Sequence, residues 1–373
     1  MTHQVKKILF MYAEEPIHAG AGTSTGTIDL PIQRERHINV PKIEGSGVRG
    51  AIREAAWEKF INEYKISNTS YVDIANELEE KKEKLKEAKQ VESSDAEINN
   101  LKEEINDLKG KLKAFETVFA RIFGFKNDGE KHSAIDISDA HLLFFPVRSW
   151  KGVFAWLTSP LLLKRFIKDY NRMFDTDINI TIGTSDKTID NLKIDDNEVV
   201  VQNESDLITD KKALFEEYLF SKKELEEELK IEGKELGEWF KERFCSAHAI
   251  IDMLPKHIAV VSDDVFLDFA DLYTHKITRN KIDSATGTAE DAGLFNEEFL
   301  PSESILYANL VASNEFTESD FMKAEEVMEF VEEYLPPLYK TGGDQGIGKG
   351  LFRVAFYPKD DQKNDCKNKE NEQ

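Results

Sequence analysis

Two glycine-rich segments carry the residue types best suited to chemistry. Gly45-Ser46-Gly47-Val48-Arg49-Gly50 is a literal G-x-G-x-x-G at the start of a helical pattern. A dinucleotide fingerprint needs a buried parallel strand before it, and Ile38 to Ile43 is interrupted by Pro41. What survives is the general property of a glycine-rich helix start, where exposed N–H groups and the positive dipole end make a phosphate site. Arg49 and Arg53 lie four residues apart on one helical face and would add cations to it. The alternative is ordinary capping with solvated arginines. Gly343-Asp344-Gln345-Gly346-Ile347-Gly348-Lys349 matches the start of a P-loop, but Gly350 stands where the magnesium-binding hydroxyl belongs. A strand, Leu351 to Tyr357, follows where a P-loop needs a helix, so an NTPase is excluded.

Other familiar chemistries are missing from the sequence. There is no Ser–His–Asp signature, no H-E-x-x-H, no EF-hand loop, and the eight histidines are scattered without zinc spacing. Cys245 and Cys366 are the only cysteines, which excludes a disulfide scaffold and a cysteine-based zinc or iron–sulfur cluster. No apolar run approaches the ~18 residues of a membrane span. The apolar stretch Ile8 to Ala13 also falls short of the ~7–15 residues of a secretory signal. A cytoplasmic protein without a membrane partner is expected.

The 373 residues carry a formal charge of -22, which on its face disfavours a phosphate-rich partner. The distribution changes that reading. Residues 1–60 hold seven acids against eight bases, whereas 186–242 hold eighteen acids against nine lysines. The segment 340–354 holds Lys340, Lys349 and Arg353 against Asp344. The glycine-rich segments near both ends thus escape the acidity, and a polyanion remains compatible with them.

The elements that must position these segments alternate irregularly. Strands are expected at Val5–Tyr12, Ala140–Val147, Gly152–Leu157, Lys256–Phe266, Ser304–Ala312 and Leu351–Tyr357, and helices at Ser46–Ile61, Pro160–Met173 and Ser319–Tyr334. Ala13 to Glu44 has no helical period and is long for a connection, a property of functional loops. Ile98, Leu101, Ile105, Leu108, Leu112, Phe115, Phe119 and Ile122 form a coiled-coil-like seam, with a capping box at Ser94–Glu97 and a turn expected at Gln90–Ser93. This predicts a helical hairpin over 73–114. One or two acidic helices are expected in Leu207–Phe244, within an acidic helical insertion at 186–242. Tyr273 to Gly293 is polar and charged, with a turn at Asp283–Gly287. The core would comprise 1–72, 115–185 and 243–357, and the polar tail 358–373 is expected to be disordered. The pattern argues for an α+β fold rather than a doubly wound sheet.

Three segments together resemble a known family. The first runs from Pro16-Ile17-His18-Ala19-Gly20-Ala21-Gly22 through Ile28-Asp29-Leu30-Pro31-Ile32-Gln33-Arg34-Glu35-Arg36-His37 into Pro41–Ala51. The second is Asp139-Ala140-His141-Leu142-Leu143-Phe144-Phe145-Pro146-Val147-Arg148-Ser149 with Gly152–Trp156, and the third is Leu294–Pro301, closed by the Gly342–Gly350 loop. The sequence resembles the repeated backbone subunit of the type III-B CRISPR effector, the Cmr complex, in the RAMP superfamily. The resemblance implies a ferredoxin-like, RNA-recognition-like palm with helical fingers and a β-hairpin thumb at about 273–293. It implies head-to-tail copies on a guide RNA, other Cmr subunits as partners, and complementary target RNA cut at regular intervals.

The resemblance also implies roles. Asp29 is the acid of the cleaving loop, supported by His18, with Glu297 and Phe299 assisting. The family pattern commonly has Tyr where Phe299 stands, so that hydroxyl is lost here. Asp29 would contact a divalent metal, magnesium or manganese. The nucleophile would be the RNA's own 2′-hydroxyl, and a thumb that splays a nucleotide from the stack would supply in-line geometry. RNA-backbone contacts are implied for Arg34, Arg36, Lys42, Ser46, Arg49 and Arg53, for Lys276, Arg279 and Lys281 in the thumb, and for Gly346, Gly348 and Lys349 in the closing loop. The metal-dependent endoribonuclease competes with a purely structural guide-RNA-binding subunit.

Overall fold

The computed structural model describes residues 3–91, 93–124, 133–182, 187–225, 228–244, 250–283, 286–315 and 322–358. Cys245, Cys366, the tail beyond 358 and the residues from Ser319 to Phe321 lie outside them. The chain forms two compact units.

The smaller unit contains the residues up to Val5, Ile52–Asp136 and Val311–Pro336. Helix α1 (Gly45–Glu63) enters it at Ile52, and α2 (Tyr71–Gln90) and α3 (Asp95–Phe123) follow. The Ser70 side chain caps α2 in a capping box with Asp73, and Ser94 accepts from the Glu97 N–H at the start of α3. The break between the two helices falls at the turn expected from the sequence, and Lys81 pairs with Glu104 across them at 2.7 Å. The seam does not close on α2 alone. Phe115 and Phe119 of α3 pack on Phe60 of α1, with ring centroids 6.2 and 5.5 Å away, and Phe60 also meets Phe330 and Tyr334 of the Ala324–Tyr334 helix. The aromatic half of the seam is therefore the core of the helical unit.

The larger unit contains Lys6–Ala51, Ile137–Leu310 and the described residues from Pro337 onward. Its mixed sheet runs in the order Ile258–Val260, Phe154–Thr158, Ala140–Arg148, Ile305–Ser313, Gln4–Ala13, Leu351–Tyr357, Leu338–Lys340. Ile258–Val260 pairs in parallel with Phe154–Thr158, while Leu351–Tyr357 pairs antiparallel with Gln4–Ala13. Ile8 to Ala13 is continuously buried because that strand lies inside the sheet. Helix α4 (Pro160–Phe174) contributes Phe166, which packs 5.9 Å from Phe10.

Two expectations are corrected. Leu207–Phe244 is mainly short strands, Lys212–Phe215, Tyr218–Lys222, Leu229–Ile231 and Lys234–Glu235, with one helix, α5 (Leu236–Phe244). Phe215 pairs with Tyr218 across Glu216-Glu217, and Ile231 with Lys234 across Glu232-Gly233, where Glu216, Glu232 and Gly233 have positive φ. Two-residue hairpin turns outweigh the helix propensity of glutamate there. The strand expected over Lys256–Phe266 survives only as Ile258–Val260, because Ser262 caps a helix at Asp263–Leu272.

The element that most concerns function is an antiparallel hairpin, His275–Ile282 with Ala289–Phe299. At its end the Asp283 carbonyl accepts from Gly287 N–H at 2.8 Å, while Ser284 and Ala285 of the expected turn lie outside the described residues. Its register places Ile277 opposite Glu297 and Arg279 opposite Phe295. Side chains alternate, so His275, Ile277, Arg279, Phe295, Glu297 and Phe299 share one face.

Candidate functional site

The central strand ends at Ala13, and the chain is then tied by three contacts to two other segments. Ile17 bridges Leu300, Leu30 bridges Glu297, and Gly343 N–H donates to the His18 carbonyl at 2.8 Å. Gly342 is required there: its φ is +82°, and a Cβ would stand 2.4 Å from the His18 carbonyl oxygen. The glycine-rich loop thus closes on the His18 backbone, and the long Ala13–Glu44 segment is ordered mainly by isolated bridges, with one short strand at Lys42–Ile43.

His18 is nearly buried. Its Nδ1 lies 2.7 Å from the Glu298 carbonyl oxygen, which can only accept, so Nδ1 carries the hydrogen. In a neutral ring Nε2 then holds the lone pair, and Nε2 faces the Glu297 carboxylate at 3.8 Å. The Phe299 ring, fully buried, backs the imidazole at 5.5 Å.

Glu297 is the buried carboxyl of this cluster. Arg279 Nη1 lies 3.2 Å from its Oε2 and 2.9 Å from Asp344 Oδ2, so two carboxyls share one guanidinium nitrogen. Burial first, and Asp344 second, push the Glu297 carboxyl above the usual range, with Arg279 and His18 offsetting part of the rise. Lys349 and Arg279 both approach the Phe299 ring, at 5.8 and 5.6 Å.

Asp29 stands at the edge of the same strand. Its Oδ2 accepts from the Asn296 N–H at 2.7 Å, and the flanking backbone pairs Leu30 N–H with the Asn296 carbonyl. Of the expected catalytic residues, His18 thus meets both Glu297 and Phe299, and Asp29 is anchored one residue from Glu297.

Glu298 points the other way. It accepts from Arg34, Thr274 and the Ile32 N–H at 2.6, 2.7 and 3.1 Å. Burial alone would raise its carboxyl, but these hydrogen bonds prevail and hold it below the usual range. Arg34 also donates to the Asn39 and Ala270 carbonyls, so it fastens the motif internally.

The profile of the RAMP superfamily matches residues 10–353. The CRISPR system Cmr endoribonuclease Cmr4 of Pyrococcus furiosus is 30% identical over 358 residues, 93% of this chain and 94% of that protein. The chain belongs to the RAMP superfamily. Among solved structures, a crystal structure of Cmr4 matches this RAMP fold with a TM-score of 0.56 at 21% identity, over 94% of this chain and 98% of that one. A cryo-EM structure of the type III-B Cmr-beta bound to cognate target RNA matches with a TM-score of 0.59 at 17% identity, over 94% and 97%. These two likenesses concern the fold.

The remaining residues proposed to contact RNA in this RAMP chain divide by exposure. Arg36, Ser46, Lys276, Lys281, Gly346 and Gly348 are exposed, and Arg49 and Lys349 are half-buried. Lys42 is held by Asp139 and Glu44 at 2.7 and 2.8 Å. Arg53 lies in the helical unit, its guanidinium 5.9 Å from the Phe119 ring. The start of α1 already meets an anion: Gly45 N–H donates to Asp139 Oδ1 at 2.7 Å. A Cβ at Gly45 would stand 2.9 Å from the Ile137 carbonyl oxygen, so this glycine serves backbone packing.

Among the described residues no group of three or more His, Cys, Asp or Glu side chains is arranged to hold a metal ion. Asp29, with one oxygen tied to Asn296, would offer a single contact. The residues present do not fit a protein-built metal centre. Sequence reasoning missed Asp344, which stood in the rejected P-loop, and the internal roles of Arg34 and Lys42. No local pattern distinguishes a loop carboxylate that meets an arginine 65 residues away in sequence. Among the described residues no helix is long and apolar enough to cross a membrane.

Proposed function

We propose that this chain is a guide-RNA-binding backbone subunit of a type III-B CRISPR interference complex and cleaves complementary target RNA at regular intervals. The observation that carries the reading is the convergence of His18, Glu297 and Arg279 on one hairpin face, with Asp29 anchored beside them. The unit with the mixed sheet would act as palm, the helical unit as fingers, and the His275–Phe299 hairpin as thumb. Partners would be guide RNA, target RNA, further copies stacked head to tail and other Cmr subunits, in the cytoplasm. Base pairing would supply sequence specificity, leaving backbone contacts to the protein.

In the reaction, the target's 2′-oxygen attacks the adjacent phosphorus and the 5′-oxygen leaves, giving a 2′,3′-cyclic phosphate. His18 Nε2 is placed to take the 2′-hydroxyl proton. Glu297, which holds its proton above the usual range, is placed to give one to the leaving oxygen. Arg279 and Lys349 offset charge on the phosphate. The hairpin would displace one nucleotide from the stack and so allow in-line attack. The proposal includes a dependence on magnesium or manganese, to which Asp29 would give one carboxylate oxygen, with RNA and water supplying the others.

A purely structural guide-binding subunit is the second reading, favoured by Phe299, which brings no hydroxyl to the cluster. The test is to assemble the complex on a guide and incubate it with matched RNA, with magnesium or manganese and with EDTA. Regularly spaced products ending in cyclic phosphate, lost in EDTA, are expected. Guide retention with intact target would establish the structural reading instead.

A further inference from the structure

Asp344 is the one member of the cluster that neither the sequence motifs nor the family resemblance singled out. It sits at φ +61°, in the left-handed region, inside the glycine-rich loop. That region disfavours side chains, and glycine would occupy it without strain. An aspartate kept there, among five glycines in Gly342–Gly350, points to use of its side chain. Its Oδ2 meets Arg279 Nη1 at 2.9 Å, and the same nitrogen reaches Glu297 at 3.2 Å. Its carbonyl accepts from the Ile347 and Lys349 N–H groups at 3.0 and 3.3 Å, which fixes the loop around it.

We propose that Asp344 is a positioning residue for target cleavage, holding the Arg279 guanidinium across Glu297 and beside His18 so that its remaining donors meet the scissile phosphate. Nη1 lies within ion-pair distance of both carboxyls, and the guanidinium donors on Nε and Nη2 are those a phosphate can take. An arginine on an extended hairpin has several rotamers. The Asp344 contact selects the one that lies over Glu297, 5.6 Å from the Phe299 ring. The proposal rests on the endoribonuclease reading above.

The experiment compares assembled complexes carrying wild type, Asp344→Gly, Asp344→Asn, Arg279→Ala, and Arg279→Ala with Asp344→Gly. Asp344→Gly relieves the backbone, so assembly, guide retention and melting temperature are expected to stay near wild type. Its cleavage rate at saturating target is expected to fall about 10- to 100-fold, the scale of a misplaced catalytic contact, with target affinity unchanged. Asparagine tolerates the same backbone and keeps an oxygen beside Arg279 without the charge, so Asp344→Asn is expected to recover part of the rate. In the Arg279→Ala background, Asp344→Gly is expected to add no further loss, because the group it positions is gone. A wild-type rate for Asp344→Gly, or losses that multiply in the double variant, would overturn the proposal while leaving the endoribonuclease reading intact. A wild-type complex that retains guide but never cuts would overturn both.

Discussion

Glu297 and Glu298 are consecutive, both buried, and do opposite things. The period of two in an extended strand sends Glu297 toward His18 and Arg279 and Glu298 toward Arg34 and Thr274. One carboxyl is held above its ordinary range and the other below it. The same strand thus presents a carboxyl that keeps its proton more readily on one face and a fixed anionic anchor on the other.

The two glutamates should separate in mutagenesis. Glu297→Gln is expected to leave folding and guide binding intact and to lower the cleavage rate by about 10²- to 10⁴-fold, the usual contribution of a general acid. Glu298→Ala removes the buried carboxylate shared by Arg34, Thr274 and the Ile32 N–H and is expected to cost about 3–5 kcal/mol of stability. Thermal unfolding and single-turnover cleavage of both variants check the division. The wild-type rate should also fall as pH rises through the elevated Glu297 range, because the acid form is lost.

Asp29→Asn should abolish cleavage while assembly and guide retention persist. The amide oxygen can still accept from the Asn296 N–H, so the loop is kept and the charge removed. Gel analysis of matched RNA decides it, and cleavage at the wild-type rate would contradict the role given to Asp29.

Glu303 offers a stability test away from the site. Burial raises its carboxyl from 4.5 to about 7, and its Oε2 has no hydrogen-bond partner. Both states are protonated well below pH 4.5, whereas above it the unfolded chain ionises first. Stability is therefore lost as pH rises toward about 7. Glu303→Gln removes that loss and is expected to stabilise the protein at pH 8 by up to about 3 kcal/mol, with little effect at pH 4. Denaturant melts of both proteins at the two pH values measure it.

The helical unit should depend on its aromatic centre and not on the far end of its hairpin. Phe60 is fully buried among Tyr64, Phe119, Phe330 and Tyr334, and Phe60→Ala is expected to cost about 3–5 kcal/mol. Replacing about Asn76 to Lys111 by a Gly/Ser linker spares Phe115 and Phe119, so a soluble protein that retains guide RNA is expected. Circular dichroism melts and guide co-purification test the pair.

The strand of Ile8–Ala13, the helix at Pro160, the Ser94 cap and the final strand were legible in the sequence because each is set by local periodicity and capping, which act over a few residues. The His18, Asp29 and Glu297 motifs were legible by their resemblance to a family, which says that residues matter without saying how they meet. The strands inside 207–244 were not legible, since turns at Glu216 and Glu232 depend on a backbone conformation that glutamate rarely adopts. Nor could the sequence say what holds Glu298, or give Asp344 a partner. Those outcomes depend on which hairpin face meets the glycine-rich loop, and that follows from strand register and long-range packing, which only the tertiary structure decides.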